Sequence, residues 1–391
     1  MTIQDSSNES STTPVVVSST EPHGAEAPAS PLYRARASGR LLSIQYTRAV
    51  AAISVVFFHA FNDAGVTHYP EQVLQAGVDL FFAISGFIMW VTTYGSDTGP
   101  REFLRRRIIR IVPLYWVFTA FAVLLSVVAP QLGKRTGGLD AIASFLFMPA
   151  VNTATHQTQP VVAPGWTLNH EMLFYVIFAV ALFLPNKRQR FVALVGVNVG
   201  LVILGFFVDT PLVVSFYTNP IVFEFVFGVV IGLAYTSGYR MSRAASTATV
   251  IAGALTMIGL AAAWGQTAIL RVVVWGIPAA LIVLALALTE NTKPVEDRRH
   301  LRFLGDASYS LYIVHGVVLS AMLSVVHHAN IPKIVMIPVG GPVAIVAGVV
   351  VYRYLEKPMT TYLRHFGGRR AAVPKPAVQL VVPEPVGTAE G

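Results

Sequence analysis

LLSIQYTRAVAAISVVFFHAF, residues 41–61, is the first long apolar run of the chain, and it carries an arginine and a histidine, Arg48 and His59, among small and apolar side chains. A run of about 20 such residues is long enough to cross a bilayer as a helix. An arginine at the centre of a membrane helix costs about 2.5–3.5 kcal/mol on insertion scales, so an ionisable residue there marks a functional site by default. Eleven residues at about 100° each bring His59 back to within about 20° of the face that carries Arg48, about 16 Å further along the axis. Both groups therefore point into one cavity at different depths.

Composition places the rest of the chain in the same class. Of the 391 residues 54% are hydrophobic and 12% charged, with mean hydropathy +0.60, where a soluble domain carries about 25% charged residues. The reading is an all-α polytopic membrane protein. The absence of cysteine excludes disulfides, thiolate nucleophiles, thiolate-held zinc and iron–sulfur clusters, and no metal is expected. The net charge of +8 reads as topology, since basic residues collect in cytoplasmic loops. With no basic, aromatic soluble module, nucleic acid is not expected as a partner.

Residues 1–40, rich in Ser, Thr, Pro, Ala and Glu, read as a disordered cytoplasmic tail, and residues 365–391 as a second one. Residues 41–364 form one membrane domain. Apolar runs predict about ten transmembrane helices, near 41–62, 74–94, 108–130, 166–185, 191–208, 219–237, 244–264, 269–289, 307–327 and 334–354. The stretch 141–151 is too short to cross and reads as an interfacial or re-entrant helix. With both termini cytoplasmic, 23 of the 28 lysines and arginines fall on the inner side, the bias expected of an inner-membrane protein.

This topology sets the depth of the polar residues. His59 comes near the outer end of its span, and GVDLFFAISGF (77–87) opens the second span with Asp79 near the outer end and Ser85 near the middle. GWTLNHEMLFY (165–175) sets Glu171 at the same outer depth. One histidine and two carboxylates are thus expected to converge as a general base with its orienting acid. On the inner side REFLRRRIIRIVPLYW (101–116) holds five arginines in ten residues, bidentate donors suited to phosphates. Each feature also has a plainer reading: Arg48 snorkelling, His59 as an interhelical hydrogen bonder, Asp79 and Glu171 as helix caps, the arginines as a topology anchor, Ser85 as a small packing residue. Their coincidence in order and depth favours the functional reading.

Arg48 with ten residues before His59, GVDLFFAISGF, RRRIIRIVPLYW, GWTLNHEMLFY, SYSLYIVH at 308–315 and YLEKP at 354–358 together resemble the integral-membrane acyltransferase family 3. The likeness extends over residues 41–364. Within that family the chain is most similar to the exopolysaccharide-production (O-acetyl) acyltransferases. The resemblance implies transfer of an acyl group, usually acetyl, from cytoplasmic acetyl-CoA or another acyl-CoA to a hydroxyl of a polysaccharide or lipid-linked glycan. It implies Arg48 and His59 as the paired functional residues, with Arg107 and Arg110, beside Arg106, holding the donor. Ser85, Trp166, Tyr175, Tyr312, His315 and Glu356 fall within the matching motifs. One departure is His170, where the exopolysaccharide-type pattern has an aromatic residue, usually Tyr. The competing class is a proton-coupled or small-solute transporter using Arg48, His59, Asp79 and Glu171 as a relay. Two similar halves with interrupted spans, which that class would favour, are not seen. A scaffold for export machinery would leave the buried charges unexplained.

Overall fold

The structure, a computed structural model, describes residues 41–66, 71–128, 136–153, 155–207, 211–263, 267–292 and 294–366. The two tails, apart from residues 365 and 366, lie outside the described residues. The described chain is helical: α1 (Leu42–Asp63), α2 (Gly77–Tyr94), α3 (Pro100–Val128), α4 (Gly138–Phe145), α5 (Trp166–Ala181), α6 (Lys187–Phe207), α7 (Leu212–Tyr217), α8 (Phe223–Thr236), α9 (Arg243–Ala263), α10 (Ala268–Arg271), α11 (Ile277–Glu290), α12 (Arg299–His328), α13 (Gly340–Val351) and α14 (Lys357–Phe366). No strand occurs among these residues beyond one isolated antiparallel bridge, Val151 to Thr158.

Nine helices among the described residues are long and apolar enough to cross a membrane, against the ten expected. The difference is α5. It has 16 residues, a rise of about 24 Å, short of the ~30 Å hydrocarbon core. The expected span 166–185 ends early because Pro185 follows, and the chain tightens into three-residue turns, Leu182 N and Leu184 N donating to Ala179 O and Ala181 O. The predicted interfacial segment does form a helix, α4, although it starts earlier than expected and has eight residues. Trp116 Nε1 ties its end to α3 by donating to Phe145 O (2.9 Å), while Leu139 and Leu146 stay exposed.

Local chemistry explains how α1 is set. Its N-cap, Leu41, has no polar side chain, so the first amides find an acceptor elsewhere. Leu42 N and Ser43 N donate to Glu290 at 2.8 and 2.9 Å, and Ser43 Oγ donates to the same carboxylate at 2.5 Å. An anion at a helix N-terminus satisfies both the orphan amides and the dipole.

Packing is then close because small residues allow it. A Cβ on Gly86 would stand 2.1 Å from Phe225 O, and one on Gly228 would stand 2.1 Å from Ala83 O, so α2 and α8 meet backbone to backbone. Gly305 lets α12 approach Gln45 O of α1 in the same way (2.2 Å). The aromatic residues of the 77–87 and 165–175 motifs fill the core between these helices. Phe174 stacks on Phe225 (4.5 Å between centroids), Phe103 on Phe178 (5.0 Å), and Phe82 leans on Phe225 (4.6 Å).

Candidate active site

α12 lies beside α1 and runs in the same direction. Gly305 abuts Gln45, Ser308 meets Arg48, Leu311 packs with Ala52, and His315 comes to His59. The SYSLYIVH segment is therefore the wall that faces the Arg48–His59 stripe. Arg48 is buried, with one guanidinium nitrogen donating to Gln45 Oε1 (3.0 Å) and the other to Ser308 Oγ (2.8 Å). Among the described residues no carboxylate forms an ion pair with it, although Arg110, Glu356, Asp306 and Glu171 are the charges that act on it.

Arg48 opens onto a cavity whose walls come from five helices: Ser85 of α2, Arg107 and Arg110 of α3, Thr167, Glu171 and Tyr175 of α5, and Ser308, Tyr309 and Tyr312 of α12. It leaves about 90 Å³ for the centres of water-sized groups, several times the ~10–15 Å³ that one water needs on that measure. A small acyl group fits such a space. Glu171 accepts from Ser85 Oγ (2.9 Å) and from the hydroxyl of Tyr175 one turn further on. Three arginines face this one carboxylate, and Arg107 Nε is buried with no partner. A site with surplus guanidinium and an unused buried donor suits an anionic, phosphate-bearing ligand.

Arg106 does not join them. It is exposed and pairs with Glu102 at 2.7 Å, as does Arg105. One residue along a helix turns the side chain by about 100°, which carries Arg106 off the face that Arg107 and Arg110 share.

The expected meeting of His59 with two carboxylates does not occur. Gly77 lies against the carbonyl of Ala51, so Asp79 sits near the level of Ala51, eight residues or about 12 Å below His59. There it is fully buried and paired with Arg271 (2.7 Å), whose other nitrogen donates to Gln75 Oε1 (3.0 Å). Glu171, bonded to Ser85, is deeper still along α2. Among the described residues no carboxylate comes within ion-pair distance of His59. Its ring neighbours are Phe58 and His315, at 5.1 and 5.0 Å between centroids. His315 is fully buried; its Nδ1 meets Leu311 O at 3.3 Å and its Nε2 has no partner.

Between the cavity and this histidine pair stands Tyr312. Its hydroxyl bonds Thr167 Oγ1 (2.9 Å) and its ring lies 5.8 Å from that of His315. Glu356, buried on a π-helical turn (Tyr352–Glu356), accepts from Ser310 Oγ at 2.5 Å behind the cavity wall. Trp166 and His170 belong to the packing. Trp166 sets its ring against Phe82 and His170 (6.4 and 5.8 Å), and both His170 nitrogens meet backbone carbonyls, Trp166 O at 3.3 Å and Phe216 O at 3.1 Å. No group of three or more His, Asp or Glu among the described residues could hold a metal ion.

Sequence reasoning singles out neither Glu224 nor Arg271. Glu224 is fully buried with neither oxygen bonded, against Gly276 and near Asp79 and Arg271. Arg271, at the end of α10, holds Asp79 with its side chain only 18% exposed. The signal for Glu224 was available, since a glutamate within an apolar run is costly unless partnered.

Comparison with known proteins gives a consistent picture. Residues 41–353 match the family described as "Acyltransferase domain". The chain is 34% identical over 316 residues to the exopolysaccharide production protein ExoZ of Rhizobium meliloti, covering 78% of this chain and 94% of that protein. It is 29% identical over 158 residues to protein 2 in the picA locus of Rhizobium radiobacter, covering 36% of this chain and 81% of that protein. It is also 28% identical over 170 residues to a putative peptidoglycan O-acetyltransferase, YrhL, of Bacillus subtilis, covering 39% of this chain and 26% of that protein. No solved structure matches the chain.

Proposed function

The chain belongs to this acyltransferase family, and on that premise we propose that it is an O-acyltransferase of the inner membrane, carrying an acyl group from cytoplasmic acyl-CoA to a sugar hydroxyl of an exported or cell-surface polysaccharide. Acetyl is the first candidate for the group carried. The observation that carries the reading is the arginine-lined cavity, which Arg48 lines and which His59, three helical turns along α1, does not. The names of two relatives, an exopolysaccharide production protein and a putative peptidoglycan O-acetyltransferase, support a glycan acceptor.

In this reading the donor phosphates rest on Arg107 and Arg110, where Arg107 Nε is an unused donor, and the pantetheine arm passes Arg48 toward His59. His59 takes the proton of the acceptor hydroxyl as its oxygen attacks the thioester carbonyl. The carbon–sulfur bond breaks, and the thiolate of coenzyme A takes up a proton. Glu171 and Asp79, expected beside His59, act elsewhere: Glu171 orders the cavity wall with Ser85 and Tyr175, and Asp79 neutralises Arg271. Both termini are cytoplasmic, which needs α5, with the 3₁₀ turn Ala163–Gly165 before it, to serve as a tenth crossing.

The test is transfer of label from acetyl-CoA in vesicles holding equal amounts of inserted protein. Wild type should label glycan covalently, and His59→Gln should lose roughly 10²–10⁴ in rate, the range for removal of a general base. Arg48→Lys, which keeps the charge but not the planar fork, should also lose transfer. Near wild-type labelling by His59→Gln, or uptake of free label without a covalent product, would overturn the proposal.

A further inference from the structure

A general base needs its unprotonated nitrogen aimed at the substrate, and a neutral imidazole holds that aim only if something accepts the proton on its other nitrogen. The expected carboxylates are absent from His59. What the structure sets there is a second histidine, with ring centroids 5.0 Å apart.

The state of that second ring follows from its own surroundings. His315 Nδ1 faces the carbonyl of Leu311, one turn back on α12, at 3.3 Å. A carbonyl only accepts, so Nδ1 carries the hydrogen and Nε2 is left with a bare lone pair. That Nε2 is fully buried and has no partner. Unsatisfied buried acceptors are rare and call for an explanation. The adjacent aromatic hydroxyl, Tyr312, is engaged with Thr167, whereas His59 makes no hydrogen bond to any described residue, its half-buried ring lying against those of Phe58 and His315.

From this complementarity we infer that His315 is the positioning residue of the reaction: its Nε2 accepts the N–H of His59, fixes the tautomer, and turns the bare nitrogen of His59 toward the acceptor hydroxyl. The arrangement does the work of the acid in a serine–histidine–acid triad with a neutral group. When His59 takes the hydroxyl proton, the bond to His315 helps disperse the resulting positive charge, and no proton need leave the pair until the thiolate is discharged. The inference rests on His59 being the base.

Two substitutions separate this role from packing. His315→Gln retains an acceptor oxygen, and His315→Phe retains a flat ring but no acceptor. With insertion and acetyl-CoA KM equal to wild type, His315→Phe should lower kcat by about 10²–10⁴, as expected when a base is presented in the wrong tautomer. His315→Gln should recover at least tenfold of that loss. Histidine ¹⁵N resonances give a readout independent of turnover. Those lost in His59→Gln belong to His59; they should show one neutral tautomer in wild type and a mixture in His315→Phe. An unchanged tautomer, or equal rates for the Gln and Phe variants, would overturn the inference. A wild-type rate in His59→Gln would instead remove the base reading, which the tautomer measurement does not depend on.

Discussion

Ser308→Ala is the smallest change that tests whether α12 controls Arg48. The serine hydroxyl is fully buried and accepts from one guanidinium nitrogen at 2.8 Å, while the other nitrogen keeps Gln45 at 3.0 Å. A hydrogen bond to a charged group contributes about 1.5–3 kcal/mol, and each ~1.4 kcal/mol is a factor of ten. Because the Gln45 bond survives, the guanidinium is loosened rather than stripped. The lower end therefore applies: about a tenfold fall in kcat/KM for acyl transfer. Ser308→Thr, which restores the hydroxyl, should recover part of the loss. The assay is labelled acetyl transfer in vesicles, normalised to inserted protein, with Arg48→Lys as the reference. If Ser308→Ala transferred at the wild-type rate while Arg48→Lys did not, Arg48 would act without help from α12, and the facing of α1 by the SYSLYIVH segment would have no functional content.

Changing Arg107 and Arg110 together to Gln should raise the acetyl-CoA KM at least tenfold with insertion unchanged, whereas Arg106→Gln, outside the cavity, should leave it unaltered; equal effects would return the cluster to a topology anchor. Asp79→Asn leaves the Arg271 guanidinium without its ion partner, and breaking a buried pair costs about 3–5 kcal/mol. Thermal unfolding in detergent should show a large loss of stability, and a stable variant that has lost only transfer would instead place Asp79 in the chemistry. A reporter inserted after Val151 should face outward and one after Lys187 inward, as the basic loops dictate; the reverse would defeat delivery of the acyl group to the outer face.

The helices and the face shared by Arg48 and His59 were readable because both depend on local periodicity, which a single run of sequence contains. The residues that meet that face were not. Ser308 and His315 were visible as a motif, but what places them on α1 is the close approach allowed by Gly305, a tertiary fact. The depth of Asp79 was misjudged for a specific reason. The expected span near 74–94, with its GVDLFFAISGF opening, starts too late: the 3₁₀ turn Glu71–Ala76 continues the helix outward and leaves Asp79 two turns inside. The arginine cluster was read as one group, whereas helical phase divides it into Arg107 and Arg110 within the cavity and Arg105 and Arg106 at the surface.

The cap on α1 has a consequence for biogenesis. The carboxylate that receives its first amides lies 248 residues downstream, and the hydroxyl that receives Arg48 lies 260 downstream. At about 5–20 residues per second, the first span waits roughly 12–50 s for either partner to be synthesised. During that time it holds a guanidinium and a free helix end in or near the bilayer. The first span of this domain is thus among the last to be completed, and a nascent chain stalled before residue 290 carries an α1 without its cap.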